Sequence, residues 1–235
     1  MQLVQETRNL FRLTQFGMIN CFLVREDEGL TLVDTSFAGA APAILRAART
    51  LGAPIRRIIL THAHIDHVGS ADILIRELPE IEFVVGERES RLLGRDFSLD
   101  AGEIGKRLLG FPGIKSQPTR VLMDGDPVGS LQAISSPGHT PGHMAYLDVR
   151  DGSLIAGDTF TTQMGVIAAG VFKFYFPFPA LFSWNRVVAA NSARKLRYLK
   201  PTRLAVGHGK TVESPLEAMD QAIELALRQC GKMLD

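Results

Sequence analysis

Apolar residues along this chain follow two rhythms. Leu10 to Leu13, Met18 to Val24 and Leu30 to Val33 are short continuous or alternating runs, with Glu26-Asp27-Glu28-Gly29 as a polar turn between the last two. They predict a β meander. From Pro42 to Leu51 the spacing changes: Ile44, Leu45, Ala48 and Leu51 share one face of a 3.6-residue period and Gly52 follows as a stop, which predicts an amphipathic helix. Ile55 to Leu60 reads as a strand ending in the apolar run Ile58-Ile59-Leu60, as expected of a strand covered on both faces. A helix over Ser70 to Leu78, closed by Pro79, and a strand over Ile81 to Val85 come next.

Between 86 and 118 the pattern weakens, and Arg88 to Gly94 and Glu103 to Leu109 are expected as short helices set apart by Gly and Asp. Strands resume at Arg120 to Met123, Leu131 to Ser135, Met144 to Val149 and Ser153 to Ala156. After an aromatic stretch come a helix over Ser183 to Leu199, a strand over Arg203 to Val206 and a last helix over Pro215 to Leu234. The simplest architecture that buries these faces is α/β, with two mixed sheets packed together and helices outside. No repeat or linker marks a boundary, so 1–235 is expected as a single domain with insertions at 86–118 and 160–182.

Composition narrows the class. With 46% hydrophobic and 22% charged residues over 235 positions, the chain has a globular balance and the length for one substantial core. Lys and Arg number 26 against 25 Asp and Glu, and no basic stripe forms, so a nucleic-acid partner is not expected. Cys21 and Cys230 cannot make a disulfide scaffold and read as buried, inert thiols. The first residues lack a basic segment followed by an apolar stretch, so a reduced cytoplasmic setting is the expectation. Gly165 to Phe182 is apolar but contains Lys173, Pro177 and Pro179, and is not a membrane span.

The chemistry is concentrated in Thr61-His-Ala-His-Ile-Asp-His-Val-Gly69, which holds three of the six histidines. Imidazole and carboxylate are the side chains that hold zinc-like ions, and His62, His64, Asp66 and His67 arrive together directly after an apolar strand. A single histidine is usually an ordinary satisfied residue; this density makes a metalloenzyme. Three later segments share one grammar, an apolar strand ending on a ligand in a Gly-rich turn: Ile134-Ser-Ser-Pro-Gly-His139-Thr-Pro-Gly-His143, Leu154-Ile-Ala-Gly-Asp158-Thr, and Leu204-Ala-Val-Gly-His208-Gly.

In this arrangement the chain resembles the metallo-β-lactamase superfamily, whose motifs stand in order as Leu32-Val-Asp34-Thr, the HxHxDH run, His139, Asp158 and His208. The resemblance implies a four-layer αββα sandwich with a metal site at one edge. It implies His62, His64 and His139 on one ion, Asp66, His67 and His208 on a second, and Asp158 bridging. Five imidazoles and two carboxylates suit two divalent ions about 3.5–4 Å apart with a hydroxide between them. Zinc is favoured, with iron or manganese as alternatives, and the absence of Cys from the set disfavours a thiolate site.

Departures inside the family narrow the activity. β-Lactamases of the family carry Cys where Asp158 stands and commonly lack a ligand His at position 67, so the resemblance is to glyoxalase II and to lactonases. Diiron flavoproteins of the family have an acidic residue where His64 stands. Lactonases that open acyl-homoserine lactones usually have Tyr three residues after the bridging Asp, where this chain has Thr161. Glyoxalase II adds a C-terminal helical domain, whereas about one helix follows His208 here.

The expected activity is therefore hydrolysis of a carboxylic ester-type bond in a small molecule, lactone or acyl ester ahead of thioester, with Asp66 also passing a proton to the leaving oxygen. The rivals are a mononuclear iron oxidoreductase similar to persulfide dioxygenases, and a binding module. A structural metal site closes with four ligands and does not need seven.

Asp34 and His143 are expected beside the ligands, as orienting partners, with substrate contact a second reading for His143. Between Val171 and Phe182, Phe172, Phe174, Tyr175, Phe176 and Phe178 form the chain's most aromatic stretch. Three readings stay open for it: a wall for the apolar part of the substrate, a homodimer contact, or plain core. Tyr175 is a candidate oxyanion donor.

Overall fold

The computed structural model describes residues 1–231, which form two compact units. The first comprises Met1–Asp96 with Phe111–Leu122. Its strands are β1 (Gln2–Gln5), β2 (Leu10–Gln15), β3 (Ile19–Glu26), β4 (Gly29–Val33), β5 (Ile55–Ile59), β6 (Glu82–Gly86) and β7 (Arg120–Leu122), hydrogen-bonded in that order as one seven-stranded sheet. Pairing is antiparallel from β1 to β4 and parallel from β4 to β7. The helices are α1 (Ala41–Thr50), α2 (Ile65–Val68), α3 (Ala71–Glu77) and α4 (Glu87–Leu93). Parallel strands need crossovers, and α1 supplies the one between β4 and β5 by burying Ala41, Ile44, Ala47 and Ala48.

The register of the parallel pair sets up the site. Leu32 lies opposite Ile58 and Val33 opposite Ile59, and all four side chains are fully buried. The chain therefore leaves β4 at Asp34 and β5 at Leu60 on the same edge of the sheet, where the Asp34 N–H still donates to the Ile59 carbonyl at 2.9 Å. Carboxyl ends of parallel strands are the usual place for ligands in open α/β sheets.

The second unit comprises Phe97–Gly110 and the chain from Met123 onward. It contains β8 (Pro127–Val128), β9 (Leu131–Ser135), β10 (Met144–Asp148), β11 (Ser153–Ile155), β12 (Phe160–Thr161), β13 (Ile167–Ala168), β14 (Arg203–Ala205) and β15 (Val212–Glu213), with helices α5 (Phe178–Leu181), α6 (Arg186–Tyr198) and α7 (Leu216–Gly231). Its main sheet runs β15-β14-β11-β10-β9-β8, parallel only between β11 and β14, and β12 pairs with β13 apart from it. Leu154, Phe160, Leu196, Leu204, Met219 and Ile223 belong to the core under α6 and α7. Asn185 caps α6, its side chain accepting from the N–H groups of Val187 and Val188 at 3.0 Å.

Two large mixed sheets with helices make the fold class α/β, as expected from the sequence. The differences are local. Residues 103–109 form no helix: Ile104 and Leu109 point outward, and Gly105 lies so close to the Trp184 ring that a Cβ there would stand 2.1 Å from Nε1. The strand β1 and the one-turn helix α2 inside the His-rich run were not expected. The last helix runs over Leu216–Gly231, and the part of its expected span beyond 231 lies outside the described residues. Among the described residues no helix is long and apolar enough to cross a membrane.

Candidate metal centre

In the first unit the ligand run is organised around Asp34. This residue adopts a left-handed backbone (φ 61°), which Asp tolerates better than most side chains, and is almost completely buried. Its Oδ1 accepts the Thr61 N–H at 2.7 Å, and its Oδ2 accepts the Thr61 hydroxyl at 2.7 Å and His67 Nδ1 at 2.8 Å. Because the Thr61 hydroxyl donates to Asp34, its oxygen is left to accept from His62 Nδ1 at 3.0 Å. This chain of donors puts a proton on Nδ1 of both His62 and His67 and leaves the Nε2 lone pair of each for a cation.

The other members follow from the turn. His62 Nε2 is 3.1 Å from His64 Nδ1, and the His62 and His67 rings lie 3.9 Å apart. The His67 N–H donates to the His64 carbonyl at 2.9 Å, opening α2. That single turn sets Asp66 Oδ2 3.9 Å from His67 Nε2, with Asp66 the most exposed of the four.

The second unit assembles its own set. Gly138 (φ 128°) packs where a Cβ would stand 2.2 Å from the Ala189 nitrogen, so only glycine lets the turn carrying His139 lie on α6. Asp158 sits on a 3-10 turn over Gly157–Thr159. Its Oδ2 lies 3.5 Å from His139 Nε2 and 3.1 Å from His208 Nε2, so one carboxylate oxygen is shared by two imidazoles. The His208 carbonyl accepts from the Thr161 hydroxyl at 3.0 Å and the Thr162 N–H at 2.9 Å, which ties the turn after β14 to the end of β12.

His143 is fully buried between these turns. Its Nε2 accepts the Asp158 N–H at 3.1 Å, so Nδ1 carries the proton and faces Ser136 Oγ at 2.8 Å. Its ring is used inside the protein to hold the backbone of Asp158.

These donors fit divalent ions. Two ligands of one tetrahedral zinc, each about 2.0–2.1 Å from it, stand about 3.3 Å from each other. The separations of 3.1, 3.5 and 3.1 Å within the two units bracket that value. Imidazole and carboxylate without thiolate suit zinc, iron and manganese alike.

The aromatic segment is mostly exposed: Phe174 is 92% and Tyr175 67% accessible, with Phe172 and Phe178 near half. Plain core therefore describes only Phe176, which is partly buried against the unit's core and meets Phe178 edge to face at 5.5 Å.

Sequence reasoning missed Glu89. This carboxylate on α4 is fully buried, and its Oε1 accepts the N–H of Ala63, between His62 and His64, at 2.7 Å. Thr61 was also missed as the link between Asp34 and His62. A Thr beside a ligand run carries a weak signal; a Glu twenty-six positions from its partner carries none.

Two mixed sheets whose strand ends present paired His and Asp clusters define a metal-binding hydrolase type of α/β protein. The chain belongs to the metallo-beta-lactamase superfamily, whose family model matches residues 14–208. It is 43% identical over 228 residues to the uncharacterized protein YobT of Bacillus subtilis, covering 95% of this chain and 98% of that one. It is 28% identical to the probable metallo-hydrolase YflN of the same organism, over 80% of this chain and 78% of YflN. A hydroxyacylglutathione hydrolase of Legionella pneumophila is 28% identical over 60% of this chain, which spans 48% of that enzyme.

Among solved structures, the metallo-beta-lactamase from Pontibacter korlensis matches with a TM-score of 0.71 at 16% identity, over 96% of this chain and 98% of that one. TTHA1623 in a di-iron-bound form matches with a TM-score of 0.65 at 26% identity, over 87% and 94%. The fold is that of the metallo-beta-lactamases, and the chain is a member of a metallo-hydrolase superfamily that binds divalent metals.

Proposed function

We propose that this protein is a dinuclear metal-dependent hydrolase of a carboxylic ester-type bond in a small molecule, with lactones and acyl esters as the first candidates. The observation that carries the reading is Asp158 Oδ2, which lies at ligand-to-ligand distance from both His139 and His208. A carboxylate oxygen placed so between two imidazoles suits a bridge between two ions. His62, His64 and His139 would hold one ion, Asp66, His67 and His208 the other, with Asp158 shared.

When bound, such ions polarise a carbonyl oxygen and lower the pKa of coordinated water, which makes a hydrolytic nucleophile available near neutral pH. The protein's own part is orientation. Asp34 and Thr61 fix the imidazoles of His62 and His67 in the ligating tautomer, and His143 holds the turn that aims Asp158. Asp66, the partly accessible carboxylate of its run, would pass a proton to the leaving oxygen.

Zinc is the preferred metal, and the di-iron form of TTHA1623 keeps iron as the alternative. The two free, buried cysteines support a reduced, cytoplasmic setting. A second reading, thioester hydrolysis, is favoured by the similarity to hydroxyacylglutathione hydrolase.

A panel of lactones, aryl esters, thioesters, β-lactams and phosphotriesters, run beside elemental analysis, tests the reading. About two metals per chain and turnover of esters or lactones are expected, with His64→Ala and Asp158→Ala losing both activity and metal. One iron per chain points instead to oxidoreductase chemistry. Full activity in a metal-free preparation overturns the proposal.

A further inference from the structure

The aromatic segment is built onto the ligand turns of its own unit at both ends. At its start, the Ala169 N–H donates to the carbonyl of Thr159, the neighbour of Asp158, at 2.9 Å. At its end, the Trp184 N–H donates to the carbonyl of His139 at 3.0 Å and the Asn185 N–H to that of Gly138 at 2.9 Å. The stretch between, which includes α5, therefore starts beside one candidate ligand, Asp158, and ends beside another, His139.

A second apolar stretch is fastened beside it. The Lys106 N–H donates to the Trp184 carbonyl at 2.8 Å, Lys106 Nζ to the Ala180 carbonyl at 3.1 Å, and Asn185 Nδ2 to the Ile104 carbonyl at 2.6 Å. The joined segments leave Ile104 76%, Phe174 92% and Tyr175 67% accessible, with Phe172, Phe178 and Leu109 close to half. Scattered apolar side chains on a surface need no explanation, but six on two segments fastened together are what a binding surface would require.

We propose that these segments form a shelf for the apolar tail of an amphiphilic substrate, so that the enzyme acts on long-chain or aryl-bearing acyl esters or lactones in preference to short ones. The occupant follows from continuity: both ends of the shelf are hydrogen-bonded to residues in or next to the turns of His139 and Asp158, so a tail lying on it belongs to a molecule whose polar head is at those ligands. The proposal rests on the hydrolase reading above.

Metal-loaded protein is assayed with 4-nitrophenyl esters from acetyl to decanoyl and with γ-butyrolactone against γ-dodecalactone. A methylene half covered by the shelf is worth about a twofold gain, so kcat/KM should climb by about twofold per carbon through a falling KM. Phe174→Ser and Phe178→Ser alter exposed positions and should cut the decanoyl-to-acetyl ratio at least about tenfold. Tyr198→Ser, at another exposed position of the unit, should leave that ratio alone.

Binding is read separately from turnover. Trp184 is the only tryptophan, so decanoate, with acetate as control, should shift its fluorescence in wild type and far less in Phe174→Ser. Short esters hydrolysed with no dependence on chain length overturn the shelf and leave the hydrolase reading standing. Decanoate binding without turnover of any ester or lactone supports the shelf and overturns the hydrolase reading. A particle of twice 25.7 kDa that Phe174→Ser splits into monomers overturns the shelf in favour of a homodimer contact.

Discussion

Asp34→Asn isolates the contribution of the group behind the imidazoles. The native carboxylate accepts three hydrogen bonds, from the Thr61 N–H, the Thr61 hydroxyl and His67 Nδ1. An asparagine has one carbonyl oxygen and an NH2 group of nearly the same shape. If the oxygen keeps the Thr61 N–H, the NH2 meets the Thr61 hydroxyl and His67 Nδ1. The hydroxyl can turn, but His67 must then move its proton to Nε2, the nitrogen needed for metal. The three contacts then survive only as bonds to a neutral amide in place of a carboxylate, which costs about 1.5–3 kcal/mol in all.

For a chain of this length that corresponds to a fall of roughly 3–12 °C in Tm of the metal-free protein, and loss of an orienting partner weakens metal binding about 10–100-fold. Both are measurable on one preparation, by thermal denaturation followed by circular dichroism and by zinc competition against a chromophoric chelator. The refuting result is a folded Asp34→Asn protein with Tm within about 1 °C of wild type and unchanged zinc affinity. That would mean the carboxylate fixes neither the tautomer nor the turn.

Other expected outcomes test separate parts of the molecule. Glu89→Ala leaves the buried Ala63 N–H without its acceptor and should cost about 1–3 kcal/mol in chemical denaturation, while Glu89→Gln restores most of it; equal losses in the two variants refute the role. Burial, and after it the charge of Asp34, pushes the Cys21 thiol well up, and burial raises that of Cys230. Both should stay protonated at pH 8, so Ellman's reagent should find them only after denaturation, and rapid labelling of the native protein would contradict this.

Burial acts to raise the Asp72 carboxyl, but the N–H groups of Lys115 and Ser116, the Ser116 side chain and the Lys115 charge outweigh it and hold the group below its ordinary range. Its folded pKa thus lies under the unfolded one, and its stabilisation is complete at neutral pH and lost as pH falls below about 4. Asp72→Asn should narrow its stability gap to wild type between pH 7 and pH 3; an equal gap at both refutes the assignment.

Strands that are fully buried were legible because their composition has no competing explanation: Ile58, Ile59 and Leu60 are wholly enclosed, and so is most of β9 to β11. β1 was illegible because Gln2 and Gln5 flank two half-buried residues at a sheet edge, where no apolar run is needed. Residues 103–109 misled for the opposite reason. Leu108 and Leu109 suggest a helical face, yet in this stretch glycine is required against Trp184 and the apolar side chains turn outward.

The placing of histidines in turns at strand ends was legible, because imidazoles crowded after apolar runs have few other uses. Glu89 was not, since an acidic residue on a short helix ordinarily faces water and its partner is a backbone group fixed only by the fold. The Phe-rich segment announced itself by composition, but its exposure depends on the loop being pinned at Ala169 and Trp184, which no local pattern encodes.

The segment Phe97–Gly110 lies in the chain between parts of the first unit but belongs to the second. During synthesis its partner, Trp184, leaves the ribosome about eighty residues after Gly105 does, a delay of roughly 4–16 s at ordinary elongation rates. Until then Gly105 lacks the ring, and Lys106 the carbonyl, that they close against. A nascent or truncated chain ending before Trp184 would be cut between Asp96 and Phe111 more readily than the finished protein, in which Ile104 and Lys106 are tied to Asn185, Trp184 and Ala180.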